Sequence, residues 1–115
     1  MLVRPIGALT YFPFFGKVVM AEKLRRTLQV QNSEGIHARA AIAIAGLLRR
    51  YQVSVNVRKQ AEVVDGTEVL QLLLLGAKPG DQLIFEVTGE QAQEALDALE
   101  RLFANDFEEV VQQEN

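Results

Sequence analysis

One side chain in this sequence of 115 residues is an imidazole, and it is His37. It stands in Gly35-Ile36-His37-Ala38-Arg39-Ala40, where a turn cluster gives way to a stretch of helix formers. The first four N–H groups of a helix lack internal partners, and together they carry about half a positive charge. That setting favours a neutral imidazole, the nucleophilic form, and it attracts anions such as phosphate. Gly35 lets the backbone turn sharply just before the helix. Arg39 adds a planar fork of donors that suits phosphoryl oxygens. Residues 35–59 contain Arg39, Arg49, Arg50, Arg58 and Lys59 and no acid, a field that suits an anionic donor. A phosphoryl group taken onto nitrogen here would sit in a labile P–N bond and could be passed on. Gly-x-His-x-Arg is short, so a histidine that merely caps or packs at a helix start stays open on spacing alone.

Composition excludes much of the competing chemistry. The chain has no cysteine, so disulfides, thiolates and Cys-based zinc sites are out, and one histidine cannot build a His-rich metal site. No metal and no cofactor are expected. No apolar run approaches the roughly 18 residues of a membrane span, so membrane insertion is not expected. The net charge of −3 argues against nucleic-acid binding. That figure averages three regions: +2 over residues 1–20, +2 over 21–89 and −7 over 90–115. A hydrolase is not expected, because no Ser-His-acid arrangement is visible and Glu34 reads as a neighbour of His37 in sequence only.

The elements that would position His37 follow from periodicity. Leu24–Gln31 reads as a strand and Asn32–Gly35 as a turn. Ala38–Tyr51 reads as a helix, with Ala41, Ile44, Ala45 and Leu48 on one face. Val53, Val55 and Val57 alternate as a half-buried strand, and Glu62–Asp65 forms a short partner. Val69–Leu75 is a helix, because unbranched Leu favours helix over strand and Asp65-Gly66-Thr67 supplies turn and cap chemistry. Gly76 ends it. Gln82–Val87 is a strand. Thr88-Gly89-Glu90-Gln91 has the form of a capping box, followed by a stripe of Ala92, Ala95, Leu96, Leu99, Leu102 and Phe103. The order β-α-β-β-α-β-α puts three helices on one face of a four-stranded, mostly antiparallel sheet, an α+β open-faced sandwich. Residues 1–20 hold four of the eight aromatics and lack the form of a secretory signal. They read as an extension before the domain at 21–107, with Met20 as an alternative start. Residues 108–115 read as a polar tail.

The stretch around His37 resembles the active-site signature of the histidine-containing phosphocarrier protein (HPr) family of the bacterial phosphotransferase system, Gly-(Leu/Ile)-His-(Thr/Ala)-Arg-Pro-Ala. The likeness runs over residues 24–107. Leu24–Gln31 fits the family's first strand, Asp65-Gly66 and the Leu-rich helix ending at Leu75-Gly76 fit its middle, and Thr88–Phe103 fits its last helix. The resemblance implies a cytoplasmic phosphocarrier, not an enzyme. His37 would take phosphate on Nδ1 from the phosphoenolpyruvate-dependent first enzyme and pass it to sugar-specific permease components. Ala38 and Arg39 would hold the phosphate. Val69, Leu70 and Leu73 would line the docking surface, and Arg49 would steer partners.

Two positions depart from the family pattern. Ala40 stands where the family usually has Pro. Alanine is a strong helix former, so activity is expected to survive. Glu68 stands where regulated members carry a phosphorylatable serine, with Thr67 beside it as another acceptor. Glutamate carries one negative charge against about −1.5 to −2 for phosphoserine. It reads either as an acid favoured by the helix dipole or as a built-in mimic of the phosphorylated state. The mimic would make the chain a regulatory module acting on a partner such as a transcriptional regulator. Sugar uptake and nitrogen-type regulation both stay open.

Overall fold

A computed structural model describes residues 9–12, 17–20 and 22–108. The elements are β1 (Leu9–Phe12), β2 (Lys17–Met20), β3 (Glu22–Gln29), α1 (Ala38–Leu48), β4 (Ser54–Lys59), β5 (Glu62–Asp65), α2 (Val69–Leu75), β6 (Gln82–Gly89) and α3 (Ala92–Ala104). Strands β1 and β2 pair with each other as an antiparallel two-stranded sheet. Phe14 and Phe15, and the tail after Glu108, lie outside the described residues.

The other four strands form one antiparallel sheet in the order β3-β6-β4-β5. Alternation decides which side of it is buried. Leu83, Phe85 and Val87 of central β6 point to the helices, opposite Leu28 of β3 and Val55 and Val57 of β4. All three helices pack on that face. Their buried sides supply Ala41, Ile44, Ala45 and Leu48 from α1, Leu72 and Leu75 from α2, and Leu96 and Leu99 from α3. Each fully buried Leu, Ile or Phe is worth about 1.5–3 kcal/mol relative to exposure. This layer therefore holds α1, and with it His37, rigidly against the sheet.

Several boundaries differ from the sequence reading. Strand β3 starts at Glu22 and ends at Gln29, because its ladder with β6 runs from Glu22↔Gly89 to Gln29↔Gln82. Helix α1 stops at Leu48. Arg50 and Tyr51 then bond back only three residues, to Leu47 and Leu48, in a tightened last turn. The capping box is overturned. Thr88 stays in β6, paired with Lys23 and Ser54, and α3 starts after Gln91, whose side chain makes no cap. The Gln91 amide oxygen instead accepts from the Gln52 N–H at 3.0 Å.

Helix α2 forms as expected and ends at Gly76, which is left-handed at φ 66° and bonds back to Leu73. Its start is organised by Asp65, whose Oδ1 accepts from the Thr67 N–H (2.9 Å) and hydroxyl (2.7 Å). After α3 the chain makes a turn with Asp106 and Phe107 both at positive φ, 58° and 63°. Phe107 is buried and meets Phe103 edge-on at 4.8 Å, and Phe103 meets Phe85 at 5.7 Å. Those contacts offset the strain and fix where the Asp106 carbonyl points.

Candidate functional site

The loop before α1 is folded back by Gly35. Its φ of 68° is left-handed, and a Cβ there would stand 2.5 Å from the Ala77 carbonyl oxygen. The Asn32 side-chain amide donates to the Gly35 carbonyl at 2.8 Å, and the Ile36 N–H donates to Ala77 O at 3.1 Å. Ile36 is buried, so the residue after it is delivered to the helix start at a fixed angle.

That residue, His37, is the N-cap of α1. Its backbone is extended (φ −85°, ψ −176°), and its carbonyl accepts the first helical bond from Ala41 at 2.9 Å. The side chain is 21% exposed. Its Nδ1 accepts from the N–H of Ala40 at 3.3 Å, the capping geometry usually supplied by Ser, Thr, Asp or Asn. Its Nε2 lies 3.2 Å from the Glu34 carboxylate. The shorter contacts, Ala40 N–H on Nδ1 and Glu34 on Nε2, favour the tautomer with the proton on Nε2 and a lone pair on Nδ1, against the longer approach of the Arg39 Nη2 donor to Nε2 at 3.5 Å. The reading of Glu34 as near His37 in sequence only is thereby corrected, because the Gly35 turn brings its carboxylate onto the ring.

Arg39 reaches back over the same ring, with Nη2 3.5 Å from Nε2, while its Nη1 donates to the Asp106 carbonyl at 3.4 Å. Helix α1 has no acid in its first turn. The first-turn N–H groups of Ala38 and Arg39 thus meet no carboxylate from their own turn, a setting in which helix N-termini can receive an anion. An open hollow of about 520 Å³, lined among others by Asn32, Glu34, Arg39 and Asp106, lies at this end of the helix.

The remaining sequence-identified residues gather elsewhere. Arg49 caps the far end of α1, about 18 Å along the axis from His37 at 1.5 Å per residue. Its Nε donates to the Thr67 carbonyl at 2.8 Å and its Nη2 lies 4.0 Å from Glu68. Arg49, Thr67 and Glu68 thus form one junction between the end of α1 and the start of α2. Glu68 is the N-cap of α2 but makes no capping hydrogen bond. On α2, Leu70 is 68% exposed, whereas Val69 and Leu73 are partly buried against the core. Leu74, one turn after Leu70, is 75% exposed, and Ile42 of α1 is 60% exposed. Sequence reasoning missed both. Ile42 could have been found as an apolar residue off the Ala41–Ile44–Ala45–Leu48 stripe.

Comparison with known proteins places the chain in a family. A family model described as the PTS HPr component phosphorylation site matches residues 24–105. The phosphocarrier protein HPr of Pseudomonas aeruginosa is 39% identical over 83 residues, covering 71% of this chain and 92% of the relative. The phosphocarrier protein NPr of Klebsiella oxytoca is 33% identical over 87 residues, covering 75% and 97%. Among solved structures, HPr-C-His from Thermoanaerobacter tengcongensis superposes with a TM-score of 0.70 at 25% identity, covering 76% of this chain and 99% of the other. The fold, the matched region and the relatives together establish that the chain belongs to the HPr family, the phosphocarriers of the phosphotransferase system.

Proposed function

We propose that this phosphocarrier works through His37, taking a phosphoryl group onto Nδ1 from a phosphoenolpyruvate-dependent first enzyme and passing it to sugar-specific permease components. The observation that carries this reading is the ring itself, whose Nδ1 is an acceptor at a helix N-terminus while Nε2 faces a carboxylate. In the transfer, the Nδ1 lone pair forms the P–N bond as the donor's bond to phosphorus breaks, and that bonding pair leaves with the donor. Nε2 keeps its proton, so positive charge develops on the ring and is met by Glu34. The phosphoryl oxygens meet the free first-turn N–H groups of Ala38 and Arg39 and the Arg39 guanidinium, which exchanges its long bond to Asp106 for a charge-assisted one. Passing the group on reverses these steps.

The apolar side chains of Val69, Leu70 and Leu73 would dock the partners, with Arg49 at the edge of that surface. The chain is similar to both HPr and NPr proteins, so a nitrogen-type branch is the alternative to sugar uptake. The regulatory reading rests on Glu68, whose charge faces Arg49 at 4.0 Å in the place of a regulatory serine. Incubation with phosphoenolpyruvate and a general first enzyme should give acid-labile phosphate on the protein, and His37→Ala should take none. Glu68→Ser should raise the phosphorylation rate if the carboxylate acts as an inhibitory mimic, and an unchanged rate removes that role.

A further inference from the structure

The acceptor role of Nδ1 has a consequence for the reaction. The lone pair that would form the P–N bond is already engaged, by the backbone N–H of Ala40 at 3.3 Å. That N–H is the third of the helix, so no carbonyl of α1 competes for it. Glu34 holds the opposite nitrogen at 3.2 Å and so resists rotation of the ring away from it, while the Arg39 Nη2, a donor like Nε2–H, stands 3.5 Å from Nε2 and is not a hydrogen-bond partner in this tautomer. These are the charged groups facing the ring among the described residues. The bond lies where an incoming phosphorus atom must approach Nδ1.

We propose that the Ala40 N–H is a latch on the nucleophile, which holds the resting ring in one tautomer and must open before Nδ1 can bond to phosphorus. Ala40 is a positioning residue: it acts through its backbone, on His37. The inference rests on the carrier reading above. Once Nδ1 is bonded to phosphorus its lone pair is consumed, and the released N–H then donates to a phosphoryl oxygen. The latch thus disfavours the empty nucleophile's attack and favours the loaded form. A net hydrogen bond of this kind corresponds to roughly a 2- to 10-fold change in rate.

Proline at position 40 removes the donor, and a proline ring in the first helical turn costs the helix no internal bond. Glycine keeps the donor and tests the effect of side-chain loss. Single-turnover transfer from the phosphorylated first enzyme, below saturation, should be about 2- to 10-fold faster for Ala40→Pro than for Ala40→Gly, which keeps the donor. Nitrogen-15 NMR of the unphosphorylated protein supplies a readout that structural damage would not mimic. Nδ1 should move downfield in Ala40→Pro, towards the shift of an acceptor with no donor.

Ala40 is fully buried, so the proline variant can fail to fold. The wild type then decides. Its ring should carry the proton on Nε2, and the Ala40 amide proton should shift when Nδ1 is protonated or phosphorylated. A proton on Nδ1, an Ala40 amide blind to the ring, or an Ala40→Pro variant that folds but transfers no faster each overturns the latch. If wild type takes no phosphate, the carrier reading fails with it, while the NMR result still reports whether the hydrogen bond exists.

Discussion

The placement of His37 depends on a backbone turn that only glycine makes easily, so Gly35→Ala is an informative perturbation. Gly35 sits at φ 68°, where a side chain costs about 1–2 kcal/mol. The new Cβ would stand 2.5 Å from the Ala77 carbonyl, closer than any normal contact, so the loop must shift. That shift stretches the Ile36–Ala77 hydrogen bond, worth about 0.5–1.5 kcal/mol. Against this, alanine restricts the unfolded chain and returns about 0.4–1 kcal/mol. The net loss is about 0.5–3 kcal/mol before any cost of relieving the clash. At about 4–8 °C per kcal/mol for a domain of this size, Tm should fall by roughly 2–24 °C. Gly46 is the control. It lies exposed within α1 with open space around its Cβ position, so Gly46→Ala should stabilise the protein by about 0.5–1 kcal/mol. Thermal unfolding followed by circular dichroism measures both. A Gly35→Ala variant that melts at or above the wild-type temperature would refute the account of this turn. The same variant should also transfer phosphate more slowly, because Glu34 and His37 lie on either side of the turn.

Other perturbations probe separate parts of the account. Glu34→Ala should lower the ratio of the Nε2–H to the Nδ1–H tautomer by about 2- to 5-fold, the range for a solvent-exposed pair, and ring nitrogen shifts would report an unchanged ratio as a failure. Leu70→Ser on the exposed face of α2 should leave stability within about 0.5 kcal/mol while raising the KM for the first enzyme several-fold; an unchanged KM would remove Leu70 from the docking surface. The Arg26 guanidinium, donating to Asp97 at 3.0 Å, holds that carboxyl below its ordinary value, with Gln93 assisting. A depressed folded-state value gives stability that is present above the unfolded carboxylate's titration near pH 4 and is lost as pH falls through the lower folded value. Arg26→Gln should therefore flatten the acid limb of the stability profile, and parallel profiles would contradict the pairing.

The layer structure was legible because it is written in side-chain periodicity. Val53, Val55 and Val57 alternate, α3 carries a continuous apolar stripe, and unbranched leucines decide α2. Periodicity fails where a neighbour overrides local chemistry. Thr88 has a good capping residue's chemistry, but two strands claim its backbone, so the helix starts three residues later. His37, Ala38 and Arg39 were legible as a unit because they share one helical turn. Glu34 was not, since its approach to the ring depends on the φ of Gly35, and a dihedral angle leaves no residue-type signal of its own. The Ala40 contact is made by backbone, which sequence patterns do not display. Arg49, Thr67 and Glu68 were singled out separately for docking and regulation, and only the packing of α1 on α2 joins them.

The central claim is that His37 carries the phosphoryl group on Nδ1. Phosphorus-31 and nitrogen-15 NMR of the labelled protein, recorded with phosphoenolpyruvate and a catalytic amount of the first enzyme, test it directly. The account predicts one phosphoramidate resonance coupled to Nδ1 of His37, lost on brief acid treatment and absent from His37→Ala. A signal on Nε2, a signal that survives His37→Ala, or none at all in the wild type would contradict it.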